Sequence, residues 1–77
     1  MSRFDKILEK VLSGRSDANI RFDDMCNLLL RLGFIKRQSG GSHVVFRRGA
    51  EYINLQNRAG WVKEYQVRQV REVLQRN

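Results

Sequence analysis

His43 to Gln56, HVVFRRGAEYINLQ, is the stretch that decides how this chain folds. Apolar and polar residues alternate at period two on either side of a glycine, which is the pattern of two strands joined in a hairpin. With Arg48 to Glu51 (RGAE) as the loop, Arg47 pairs with Tyr52, Phe46 with Ile53, Val45 with Asn54, Val44 with Leu55 and His43 with Gln56. Val44, Phe46, Ile53 and Leu55 then share a face turned to the core. His43, Val45, Arg47, Tyr52, Asn54 and Gln56 share the opposite, wetter face.

Working outward, Phe34 to Gln38 reads as a further strand, connected to the hairpin by the loop Ser39-Gly40-Gly41. Before it the period lengthens to that of a helix. Phe4, Ile7, Leu8, Val11 and Leu12 mark one helical face, with Ser2 and Asp5 at N-cap and N3 and Gly14 at the end. GRSDA (14–18) is a short polar connection, and Met25, Leu28, Leu29 and Leu32 mark a second helix that Gly33 stops. NRAGW (57–61) is a turn, and Glu64 to Gln75 a last helix with Val67, Val70, Val73 and Leu74 inward and Arg68, Gln69, Arg71 and Glu72 outward. The order helix, helix, three strands, helix predicts an α+β fold of two layers, a three-stranded antiparallel sheet with helices on one face.

A chain of 77 residues has room for one thin core, so residues 1–77 are expected to form a single domain. Hydrophobic residues at 42% and charged ones at 30% are the balance of a folded soluble domain. No apolar run is long enough to cross a bilayer, and the N-terminal SRFDKILEK lacks the features of a signal peptide, so a cytoplasmic protein without membrane contact is expected. Cys26 is the one cysteine, which excludes an internal disulfide and a thiolate zinc cluster; its setting, DDMCNLLL, reads as helix interior and makes it a small core residue. Neither a metal nor another cofactor is expected.

The formal charge of +7 is unevenly distributed: residues 1–30 carry five basic and five acidic side chains, whereas the remainder carries ten basic side chains against Glu51, Glu64 and Glu72. Such asymmetry points to a polyanionic partner, either nucleic acid or an acidic protein. His43, the only histidine, stands at the start of a strand after Gly40, Gly41 and Ser42. An imidazole with an ordinary pKa near ~6.5 can take a proton from a ribose 2′-hydroxyl or give one to a leaving oxygen. The two glycines would let a phosphate backbone approach, and Lys36, Arg37, Arg47 and Arg48 are placed around them to hold phosphates. An ordinary surface histidine beside an ordinary loop and a solvated basic face fits the same facts. Position alone leaves both readings open.

The stretch LLLRLGFIKRQSGGSHVVFRR strongly resembles the HicA toxin family, in which a leucine-rich helix ends in GF and a GSH motif carries a histidine into the next strand. KILEKVLSGRSDANIRFDDMCNLLLRLGF, YINLQ and YQVRQVREVL extend the likeness over nearly the whole chain, to the HicA subgroup with an additional leading helix. The resemblance implies a fold like the double-stranded RNA-binding domain, α-α-β-β-β-α. It implies a ribosome-independent mRNA interferase, a small endoribonuclease in which His43 is catalytic and a HicB-type antitoxin covers the site. Lys36, Arg37, Gly41, Ser42, Arg47 and Arg48 are the expected RNA-binding residues. Many relatives have a second histidine where Val44 stands, and some have a proline where Glu64 stands. Without the second histidine, another proton carrier such as Tyr52, or water, must complete acid and base catalysis. The rival expectations are a non-catalytic module for structured RNA and a protein-interaction domain with an acidic partner.

Overall fold

The structure, a computed structural model, describes residues 2–38 and 40–76; Ser39 of the expected SGG loop lies outside the described residues. Its elements are α1 (Arg3–Ser13), a 3-10 turn (Asp17–Asn19), α2 (Phe22–Arg31), β1 (Ile35–Gln38), β2 (His43–Arg48), β3 (Glu51–Gln56) and α3 (Glu64–Gln75). This is the α-α-β-β-β-α order expected from the sequence. The three strands form one antiparallel sheet in the order β1-β2-β3.

The hairpin register is the one that the alternation predicts, from Arg47 opposite Tyr52 to His43 opposite Gln56. The loop is tighter than expected, because Arg48 and Glu51 also pair and only Gly49 and Ala50 turn the chain. Gly49 has φ 58, the positive first-position angle of a type II′ hairpin turn. β1 begins one residue late. Phe34 is buried beneath the sheet edge instead of pairing, since an aromatic there closes the core against α2.

Val44, Phe46, Ile53 and Leu55 pack in one cluster with Val11 of α1, Met25, Leu28 and Leu29 of α2, and Val67, Val70 and Val73 of α3. All the helical apolar faces therefore meet one side of the sheet. Opposite them Ile35 and Tyr52 are 64% and 54% exposed, so the other side is open to solvent. Ser2 caps α1 by accepting the Asp5 N–H at 3.1 Å, and Gly14 (φ 72) ends that helix in the left-handed conformation. Burial pushes the Cys26 thiol up to about 11, with the Lys36 ammonium opposing the rise and Asp23 adding to it. This is the behaviour of a core thiol, as its helical setting predicted.

Two side chains do more than periodicity suggests. Arg71 is not an outward residue of α3: its Nη1 donates to the Val11 carbonyl at 2.9 Å, and its guanidinium grips both Asp17 carboxylate oxygens at 2.9 and 3.0 Å. It joins α1, the 3-10 turn and α3. Gln66 is buried, and its carboxamide accepts the Gln56 N–H at 3.2 Å and donates to the Asn54 carbonyl at 3.3 Å. It satisfies the free edge of β3 as a neighbouring strand would.

Candidate functional site

His43 opens β2 on the uncovered side of the sheet and is exposed. Its backbone N–H donates to the Gly40 carbonyl at 3.2 Å, closing the turn that delivers the chain into the strand. Gly40 and Gly41 have φ 97 and 55, and a Cβ built on either would meet nothing within 4 Å. Positive φ, not crowding, is what asks for glycine here. Ser42, which follows, is exposed.

Register decides which cations share that face. Ile35 pairs with Arg47 and Arg37 with Val45, so Arg37 and Arg47 project to the same side as His43. Arg37 is a diagonal neighbour of His43, with Cα atoms about 7–8 Å apart, within reach of a long side chain. Arg47 lies four residues along β2 from His43, about 13 Å away. Both arginines are exposed, and the ion pairs among the described residues join other arginines: Arg3 to Asp24, Arg48 to Glu51 and Arg71 to Asp17.

Lys36 and Arg48 stand elsewhere. Lys36 pairs with Phe46 and so occupies a helix-side position, where its ammonium acts on the Cys26 thiol. Arg48 is half-buried: Nη1 donates to the Leu32 carbonyl at 2.8 Å, Nε to Glu51 Oε1 at 2.7 Å, and the guanidinium lies 4.5 Å from the Phe34 ring centroid. The sequence grouped these two with Arg37 and Arg47. One-residue alternation sends them to the other side. Arg48 caps the carboxyl end of α2 and ties it to the hairpin. Arg48→Ala should lower stability by about 2 kcal/mol, read as a fall in Tm.

Tyr52 shares the open face but pairs with Arg47, four positions from the Gln56 that faces His43. Its backbone is therefore about 13 Å from that of His43. Among the described residues no group of three or more His, Cys, Asp or Glu side chains is placed to hold a metal ion.

At the His43 end the sheet continues into a short irregular ladder that sequence reasoning passed over as a turn. The Asn57 N–H donates to the Ser42 carbonyl at 3.0 Å, and Trp61 then bridges both Arg58 and Arg21. Trp61 is 39% exposed, with the Arg21 guanidinium 4.8 Å from its ring centroid. An exposed tryptophan between two arginines was visible in NRAGW only as composition, because Arg21 arrives from a segment forty residues earlier.

Comparison of the chain with family models, curated proteins and solved structures finds no match. No described helix is long and apolar enough to cross a membrane.

Proposed function

We propose that the protein is an endoribonuclease of the HicA toxin type, cleaving RNA at the open sheet face with His43 as general acid or base and held inactive by a HicB-type antitoxin. The observation that carries the reading is the placement of the one histidine beside an open glycine turn, on the same face as Arg37 and Arg47. Arg37, within diagonal reach of His43, is the group to hold the scissile phosphate and offset charge on its oxygens. His43 takes the 2′-hydroxyl proton; the 2′-oxygen attacks phosphorus, the bond to the 5′-oxygen breaks, and water protonates that leaving oxygen. Alternatively water is the base and His43 the acid for the same bond changes.

Arg47 then holds a phosphate farther along the strand. Arg47→Ala should weaken RNA binding and reduce the slope of log K against log salt by about one phosphate's share. A filter-binding titration over several salt concentrations measures both. An unchanged slope would remove Arg47 from the interface.

The antitoxin reading follows from the same surface. A face bearing exposed arginines and exposed Ile35 and Tyr52 suits an acidic partner with an apolar centre, and such a partner would compete with RNA. The decisive experiment is incubation of the purified protein with a long single-stranded RNA. Fragments support the nuclease; intact RNA retarded on a gel supports a non-catalytic RNA-binding module instead.

A further inference from the structure

The Arg58-Trp61-Arg21 ladder lies outside the His43 face described above, yet begins one residue from it. Three observations bear on its use. First, Trp61 is flanked through antiparallel bridges by an arginine on each side, and paired residues of such bridges project to one side. Alternation sends Ile20 and Val62 into the core, both essentially buried, and leaves Arg21 and Trp61 facing out. Second, the backbone that carries the ring is held. The Phe22 N–H donates to the Gly60 carbonyl at 2.9 Å, the Val62 N–H to the Ile20 carbonyl at 3.0 Å, and Asn57 Oδ1 accepts the Gly60 N–H at 2.7 Å. The turn also keeps Ala59 at φ 54, the one positive-φ residue other than glycine among those described. Third, cations outnumber anions around the ring: Arg21, Arg58 and Lys63 take no part in the described ion pairs, and the nearest acidic residues in sequence are Asp23, two residues from Arg21, and Glu64, three from Trp61.

A half-exposed indole among arginines, on a turn whose backbone is hydrogen-bonded, is poorly explained as core, since a buried tryptophan would contribute more to so small a fold. It has the parts of a base-stacking platform: an aromatic face that accepts any base, and cations for the adjoining phosphates. Because Asn57 is hydrogen-bonded to Ser42, a strand of RNA crossing the Gly40-Gly41 turn at His43 runs onto this ladder next. We propose that Trp61, with Arg21 and Arg58, is a nucleotide-binding subsite that stacks an unpaired base of the RNA beside the cleavage point. A base engaged in a duplex keeps its faces stacked on its neighbours, so the subsite selects single-stranded RNA. This inference rests on the RNA-cleaving reading of the His43 face.

The chain has one tryptophan, so its emission reports on this position alone. The test is titration of the full-length protein with a short 2′-O-methyl oligonucleotide, which cannot be cleaved by the 2′-hydroxyl route, beside an abasic sugar-phosphate oligomer of equal length. The base-bearing oligonucleotide should quench the emission to saturation and the abasic one should not. Measured with a labelled oligonucleotide, Trp61→Leu should weaken binding about tenfold while Trp61→Phe stays close to the parent. The quenching of the unmodified protein decides the matter if Trp61→Leu fails to fold. Equal quenching by the abasic oligomer, or emission unchanged while the protein still cleaves RNA, would overturn the subsite and leave the nuclease reading intact. Absence of any RNA binding, with quenching by an acidic peptide instead, would overturn both.

Discussion

His43→Ala is expected to lower the RNA cleavage rate by about 10² to 10⁴, the range for loss of a positioned proton carrier, and to leave RNA affinity nearly unchanged. The separation of rate from affinity follows from where the residue sits. His43 is exposed at the strand start, so truncation removes no core packing, and the cations proposed to hold phosphate, Arg37 and Arg47, are separate side chains on the same face. Its partner across the ladder is Gln56, whose backbone N–H is held by Gln66. Single-turnover cleavage and equilibrium binding on the same preparations measure the two effects. Equal damage to both would mean that His43 only contacts RNA.

A second large effect is expected far from that face. Arg71→Ala should cost about 2–3 kcal/mol, because it removes charge-assisted hydrogen bonds to Asp17 and the Val11 carbonyl and leaves a largely buried carboxylate without its partner. Denaturant unfolding measures it; a loss within about 0.5 kcal/mol would show the clamp to be idle, as surface pairs often are. The pair also gives a pH dependence. The Arg71 hydrogen bond holds the Asp17 carboxyl below its ordinary value of 3.8, burial opposes this, and the Arg71 and Arg68 charges assist. A carboxyl with a depressed folded-state pKa adds stability that is present above its unfolded value and is lost as pH falls through the folded one. The parent should therefore lose stability below about pH 4, where Asp17→Asn, already weaker at neutral pH, should change less.

The sheet was legible because alternation has a hard consequence: shifting the pairing by one residue would bury His43 and Arg47 and expose Phe46 and Ile53. The helices were legible from their periodic faces and from Ser2, Gly14 and Gly33. What escaped were side chains whose partners are remote in sequence. Arg71 reads as a solvent-facing residue until Asp17 and Val11 are placed beside it, and Gln66 as one more polar position until the free edge of β3 comes within its reach. The candidate site shows the same division. Its histidine and glycine turn could be read locally. The separation of Arg37 and Arg47 from Lys36 and Arg48 was already implied by the period of two, but grouping by nearness in sequence obscured it. The Trp61 ladder needed Arg21 from the other end of the core and was beyond local reading.

The chemistry proposed for His43 is tested most directly by cleavage, with metal chelated, of a single-stranded RNA and of the same sequence with 2′-O-methyl groups, by the parent protein and by His43→Ala at matched folding. Fragments are expected in one case only, the unmodified RNA with the parent protein. Cleavage of the methylated strand, or undiminished cleavage by His43→Ala, would contradict the assignment of the chemistry to a 2′-hydroxyl activated at His43.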